Sequence, residues 1–414
     1  MSEIKSSNDD LKKVIRKNFP EQVSFLQALV RAKSANPFTP DNSDPRAPIE
    51  LEVAKLIEKK LKSFGFKPQR IAPFPQKRPN LVLKISGSQK GKTLIFNGHM
   101  DTVLPVLAYS FNPWSGKIVA DKLFGVGAAD MKASLSAFIF VVRALQDLKI
   151  KLAGDLILTF VVDEETSSCS PFGTAYLLKK GLRGDAAIVG EPRTDKIVIG
   201  HRGRYLFKIT TFGEAAHTGM IEWEKGQKGH NAILDMGKII TLLDKITIPL
   251  VSSAAFPDTR SVFTFPTKIE GGTAGNIVPE KCVAYGDVRL LPGVDPAEIK
   301  KLMFKKLAVL KGKAKFEIAD IIKFPGVAIN PREKIVQVMF QEAKKVLKKE
   351  PRLVGCRPAC DGWMLIKKGI PTVCGFGPDG DGVHSKDEWV DLKSLEKVTE
   401  IYTRTTISYL GQAG

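Results

Sequence analysis

The chain has 414 residues, of which 43% are hydrophobic, 8% aromatic and 26% charged. At about 150 residues per domain, that is material for two or three domains with proper cores, and the mix excludes collagen-like, disordered and disulfide-scaffold chains. Lys and Arg number 63 against 44 Asp and Glu, a net charge of +19. Such a balance suits nucleic acid, anionic lipid or acidic substrates. The densest runs, 300–315 and 344–352, space their lysines along amphipathic patterns without interleaved aromatics or a nucleic-acid motif, which favours a solvated lysine surface. The polar start, MSEIKSSNDDLKKVIRKNFP, has no apolar h-region, and no run of 18 apolar residues occurs. Neither a standard secretion signal nor a membrane span is therefore expected. Cysteines at 169, 282, 356, 360 and 374 are too few and scattered for a disulfide framework, so a reduced, cytoplasmic setting is expected.

Helical periodicity comes first, over 8–34 and 48–64. Short apolar runs at 93–96, 156–162, 186–189 and 371–376 then read as buried parallel strands. A stretch apolar on most faces, 131–148, predicts a helix between the first two. This alternation predicts an α/β domain with a largely parallel sheet covered on both sides. From about 200 the pattern changes. Residues 205–212 alternate as a half-exposed strand, followed by a helix near 230–244, strands near 260–269 and 281–290, a helix over 296–311 and a strand over 315–320. The order β-α-β-β-α-β is that of a ferredoxin-like split unit. We therefore expect an inserted α+β domain over 203–322, a return linker over 324–330, and completion of the α/β domain, begun in 1–202, by 323–414.

Five histidines occur, at 99, 201, 217, 230 and 384. Ligands of open α/β sheets bind beyond the carboxyl ends of the strands. Those ends here carry His99 and Asp101, then Asp163, Glu164 and Glu165, then Glu191, and finally a loop with Asp379, Asp381 and His384. Asp130 opens the 131–148 helix after Gly125-Val126-Gly127. Carboxylates gathered on one rim repel unless a cation neutralises them, and imidazole with carboxylate is a ligand set for zinc, cobalt or manganese. Each feature alone has a plain explanation: a surface turn for His99-x-Asp101, a helix cap for Asp130, a solvated loop for Glu164-Glu165. Their recurrence at four strand ends favours a metal site. His99 and Asp101, two apart in extended chain, face the same way, so Asp101 is expected to accept the second ring N–H of His99.

These residues resemble the M20 family of metallopeptidases and deacylases. The resemblance rests on Gly98-His99-Met100-Asp101-Thr102, on 125–132 (Gly-Val-Gly-Ala-Ala-Asp-Met-Lys), Asp163-Glu164-Glu165, Gly190-Glu191-Pro192 and His384-Ser385. In the insert it rests on Arg202-Gly203, Ala216-His217-Thr218, 271–279 (Gly-Gly-Thr-Ala-Gly-Asn-Ile-Val-Pro) and Asp287-Val288-Arg289. It spans nearly the whole chain in order. It implies a metallohydrolase domain carrying a lid and dimerisation domain, and two divalent ions, zinc first, with cobalt or manganese as alternatives. His99 and Glu191 would hold one ion, Glu165 and His384 the other, and Asp130 would bridge both. The Asp130–Met131 peptide would be cis. Glu164 takes the place of the general acid/base, and Asp101 that of the partner standing behind the metal ligand His99. His217 matches a histidine that reaches a partner's active site in dimeric members, and Asn276 and Arg289 match lid residues that contact substrate.

The implied activity is hydrolysis of an N-acyl amino acid, with a carboxypeptidase or dipeptidase as the alternative and a non-catalytic binding module on the same fold as a remote one. Glu191, rather than Asp, resembles the deacylase and carboxypeptidase branch. The expected partners are a small N-acyl amino acid or short peptide and a second copy of the chain, with no membrane or nucleic acid. One loop departs from the family: Pro358-Ala359-Cys360-Asp361-Gly362-Trp363 replaces a Gly/Thr-rich turn, which bears on the substrate side. Cys356 and Cys360 lack a second pair at zinc-finger spacing, Gly375–Gly380 lacks the helix of a dinucleotide fingerprint, and His201 and His230 are placed outside the site. No G-x-S-x-G elbow supports serine hydrolysis.

Overall fold

A computed structural model describes residues 8–38, 46–47, 49–106, 109–166 and 171–413; Cys169 lies outside them. The chain divides into two compact units, Met1–His201 with Ala328–Gly414, and Arg202–Val327.

The first unit is built on a six-stranded sheet. Its order is Gln69–Arg70, Leu81–Ile85, Asp155–Val161, Thr93–His99, Ala186–Val189, Thr372–Val373. The last four strands run parallel and correspond to the apolar runs read from the sequence. Leu81–Ile85 joins Asp155–Val161 antiparallel, an edge that the sequence reading did not anticipate. Thr93–His99 lies in the middle and is buried from Leu94 onward, as expected of a strand covered on both faces. Helices Ala133–Asp147 and Leu392–Leu410 pack on the sheet. Phe138 and Tyr402 from these helices bring their rings within 4.9 and 5.2 Å of Phe96, which fixes the strand that ends at His99. The helix expected over 131–148 begins two residues later. Residues Ala128–Lys132 form a wide turn in which Asp130 (φ −116°, ψ 94°) leaves helical geometry, and the Asp130–Met131 peptide is cis.

A second, smaller pairing, Lys196–His201 parallel to Arg352–Cys356, lies beside the main sheet; Val198 also pairs with Gly375. Among the described residues no helix is long and apolar enough to cross a membrane.

The second unit is an antiparallel sheet ordered Val262–Gly271, Lys281–Leu290, Gly203–Phe212, Lys315–Phe324. Gly203–Phe212 alternates buried and half-buried residues along its length. Helices Ala232–Leu243 and Pro296–Leu307 share the core with its inward residues, Tyr205, Phe207 and Ile209. Asn231 caps the first helix by accepting from the Ile233 and Leu234 amides, and Asp295 caps the second just before Pro296. This is the ferredoxin-like arrangement. The strand expected over 315–320 continues to Phe324, past a register shift between Asp320 and Ile322. The unit therefore ends at Val327 rather than at 322.

Candidate metal centre

The parallel strands deliver their carboxyl ends to one rim. His99 is the last residue of its strand, the Asp163–Glu165 turn follows Asp155–Val161, and Glu191 follows Ala186–Val189. Asp130 projects from the wide turn, and His384 comes from the returning segment in a left-handed conformation (φ 56°).

Asp130 stands between the two histidines. Its Oδ1 lies 3.1 Å from His99 Nε2 and its Oδ2 3.3 Å from His384 Nε2. Glu191 approaches His99 Nε2 at 3.7 Å, and Glu165 Oε2 approaches His384 Nε2 at 3.1 Å. Two triads of possible ligands thus share one carboxylate: His99, Asp130 and Glu191, then Asp130, Glu165 and His384. Among the described residues the buried Oε1 of Glu165 has no hydrogen-bond partner, a costly arrangement that a cation would relieve. Four acidic side chains, counting Glu164, face two imidazoles; two divalent ions match that charge. The residues fit a two-ion centre.

The electrostatics agree. Burial disfavours charge on His99, yet the hydrogen bond and charge of Asp130 hold its pKa well above the usual value. Hydrogen bonds to Asp130 and Glu165 push His384 up to about 11. Burial, followed by the charge of Asp130, raises Glu191 well above the carboxylate range, and burial likewise raises Glu165. Without metal, therefore, protons on the imidazoles supply the positive charge. A group whose folded pKa is raised favours the fold below its ordinary value and loses that contribution as pH climbs through the folded one. A metal must displace the same protons, so affinity should rise with pH, with about one proton released per imidazole at pH 7. Calorimetry in two buffers of different ionisation enthalpy measures that release; a proton count near zero would contradict it.

Supporting groups hold this rim in place, and not all were anticipated. His99 Nδ1 is 2.9 Å from the backbone oxygen of Asp101, whereas the Asp101 carboxylate stays 3.7 Å away. The expected carboxylate partner of His99 is thus replaced by a carbonyl, because the Asp101 side chain is engaged elsewhere. Its oxygens accept from the amides of Glu164 (3.2 Å) and Glu165 (3.1 Å) and from Asn36 (3.0 Å). Glu388 fixes the Asp130 turn by accepting from the amides of Gly127, Ala129 and Asp130 at 2.9–3.0 Å. Neither Asn36 nor Glu388 was read as functional, although Glu388 lies only four residues past His384. Glu388→Ala is expected to weaken metal binding and activity roughly 10–100-fold, the usual effect of removing a group that orients a ligand. Metal titration of the variant checks this.

Other residues of the sequence reading fall elsewhere. Asp379 accepts from Thr194 and Asp381 from the Gly382 amide, so neither joins the carboxylate group. His230 pairs with Asp235 at 2.6 Å. Trp363 packs, half-buried, on the apolar cluster around Met364 and Leu365.

His217, Asn276 and Arg289 belong to the second unit, where strands Ala216–His217 and Ile277–Val278 pair. His217 Nδ1 accepts from the Gly219 amide at 3.1 Å, so a neutral ring carries its proton on Nε2. Asn276 lies 3.1 Å from Nε2 and would present its amide oxygen there. Arg289 and Arg204 both donate through Nε to Asp287 at 2.8 Å.

Comparison with known proteins accords with this geometry. The model of peptidase family M20/M25/M40 matches residues 95–408. The chain belongs to that family. It is a metal-dependent hydrolase of amide or peptide bonds. It is 28% identical over 382 residues to the succinyl-diaminopimelate desuccinylase of Pelagibacter ubique (strain HTCC1062), covering 87% of this chain and 94% of that one. Among solved structures it resembles an M20 family metallo-carboxypeptidase from Sulfolobus solfataricus (TM-score 0.74, 21% identity, 94% of this chain and 99% of that one). It also resembles a tripeptidase from Staphylococcus aureus (TM-score 0.73, 20% identity, 95% and 99%). At such identities the two structures speak for the fold alone.

Proposed function

We propose that this M20 hydrolase removes an acyl group from an N-acyl amino acid. The observation that carries this reading is the desuccinylase likeness, which runs nearly end to end in both chains. Its support in the site is the ligand Glu191, the carboxylate type expected of the deacylase and carboxypeptidase branch.

In this reading His99, Asp130 and Glu191 would hold one divalent ion, and Asp130, Glu165 and His384 the second. Bound there, such a pair would supply Lewis acidity toward the scissile carbonyl and lower the pKa of a water, so that hydroxide becomes available near neutral pH. Glu164, fixed through its amide by Asp101, takes the proton of the attacking water and passes it to the departing amine. His217 would turn its Nε2–H from Asn276 to the oxyanion that develops on the carbonyl. Asn276 and Arg289 hold the carboxylate of the amino acid, a task for which guanidinium offers paired donors.

The peptidase alternative draws support from the carboxypeptidase and tripeptidase folds. Metal-reconstituted protein assayed on N-acetyl and N-succinyl amino acids beside dipeptides separates the two; cleavage of dipeptides alone would overturn the deacylase reading.

A homodimer through the second unit belongs to the same proposal, with His217 of one protomer serving its partner. Val262–Gly271 is an edge strand with Val262 and Ile269 exposed, and Leu234 on the helix Ala232–Leu243 is 63% exposed, an apolar face suited to a second copy. Sedimentation should give a dimer. A fully active monomer would remove the partner's role.

A further inference from the structure

His201, Cys360 and Cys374 converge inside the first unit from three separate segments. His201 closes the strand Lys196–His201, Cys360 precedes the helix Gly362–Lys367, and Cys374 follows the strand Thr372–Val373. All three are buried, at 1%, 3% and 3% exposure, and one ring nitrogen and the two sulfurs lie within 4.8 Å of one another. None of the three is a ligand of the two-ion centre. We infer that these three side chains form a second, structural metal site, one that takes zinc.

Two thiolates and a neutral imidazole cancel the charge of a divalent ion, which is what burial among apolar side chains demands. In a tetrahedral zinc site, bonds of about 2.0–2.3 Å leave neighbouring donors about 3.5–3.8 Å apart. The observed spread closes to that with side-chain adjustments on the order of 1 Å. The backbone around the cluster is already tied down. The Cys374 amide donates to the Val198 carbonyl at 2.7 Å, and the Val198 amide donates to Gly375 at 2.9 Å, which locks the Cys374 segment to the strand of His201. Cys360 Sγ accepts from the Gly362 amide at 3.4 Å, a contact suited to a thiolate, and its own S–H donates to the Cys374 carbonyl at 3.1 Å. Zinc would replace that S–H proton and leave the amide contact in place.

Zinc favours a fourth donor, and one stands nearby in the fold. Cys356 is the register partner of His201 on the adjoining parallel strand, half-buried and reduced. Its sulfur stands outside the 4.8 Å group of the other three, and a third thiolate would add a negative charge, so it is a candidate fourth donor beside water. The site would pin together the small sheet, the Pro358–Trp363 loop and the strand leading to Gly375, whose neighbour across the chain is Glu191.

Cobalt separates this site from the two-ion centre, because only thiolate ligands give an intense near-ultraviolet sulfur-to-cobalt band. Full-length protein produced in cobalt-supplemented medium should show that band, and its zinc-grown counterpart should carry about three ions per chain. Cys374→Ser should abolish most of the band and bring the count to about two. Cys169→Ser and Cys282→Ser should leave both unchanged. If Cys374→Ser does not fold, the band of the unmodified chain still decides the question. A count of about two with no thiolate band would overturn the inference, and so would a Cys360–Cys374 disulfide found by mass spectrometry in the metal-grown protein.

Discussion

Replacing Glu164 by Gln is expected to lower turnover by roughly 10²–10⁴-fold, the usual span of general acid–base catalysis, with metal content intact. The reason is the division of labour between adjacent glutamates. The amides of Glu164 and Glu165 are held by separate oxygens of Asp101, at 3.2 and 3.1 Å, and consecutive side chains leaving a strand point apart. Glu165 goes to His384, at 3.1 Å. Glu164, 7% exposed, is the residue proposed for proton transfer. Glu165→Gln should therefore behave differently: one ion binds more weakly, and excess metal restores part of the rate. Metal analysis and steady-state rates across a zinc or cobalt titration test both variants together. If Glu164→Gln loses metal while Glu165→Gln is inactive but fully loaded, the two roles are exchanged.

The second large effect is on folding. Arg78 is 1% exposed and bridges two fully buried carboxylates: its Nε donates to Glu50 at 2.8 Å and its Nη2 to Asp163 at 3.0 Å, with a further Nη2 contact to Glu50. Removing one partner of a buried ionic group leaves the others uncompensated, so Arg78→Met should destabilise the protein by about 3–5 kcal/mol. The loss should depend on pH. Burial already pushes Glu50 up to about 7 against the pull of Arg78, and the variant would raise it further. A carboxyl with a raised folded pKa favours the fold below its ordinary 4.5 and loses that contribution as pH rises through the folded value. The destabilisation should therefore be smaller near pH 5 than near pH 8. Urea denaturation at both pH values measures it, and an equal loss at both would remove the buried-charge explanation. Activity should fall as well, because Asp163, at φ 66°, sets the path of the chain into Glu164.

This network shows where sequence reading stops. The parallel strands were legible because strands covered on both faces must be largely apolar runs, and 93–96, within the buried Thr93–His99 strand, is one. The carboxylates and histidines of the rim were legible because ionisable residues just past such runs have few structural reasons to be there. Arg78 and Glu50 carried no such sign. Arg78 sits in polar loop sequence and Glu50 at the start of the helix expected over 48–64, and a charged residue in either place reads as solvated until the fold buries it. The Asp101 carboxylate was given the wrong partner for a related reason. Spacing placed it beside His99, but three donors from distant segments, Asn36 and the amides of Glu164 and Glu165, compete for it. The Lys196–His201 and Arg352–Cys356 pairing was missed because Arg352–Cys356 is short, half-exposed and far along the chain from its partner. The convergence of His201, Cys360 and Cys374 depends on that same pairing.

The interrupted first unit also sets an order of events during synthesis. Residues Arg202–Val327 are contiguous, so that unit can complete its own sheet as it leaves the ribosome. The host unit cannot. His384 and Glu388 arrive last, and until Glu388 caps the amides of Gly127, Ala129 and Asp130, the bridging carboxylate has nothing to aim it. A nascent chain that already displays His99, Asp130, Glu165 and Glu191 therefore still lacks His384, and with it the second triad of possible ligands. With the ligands proposed above, the second ion can be held only once the carboxyl-terminal segment is in place.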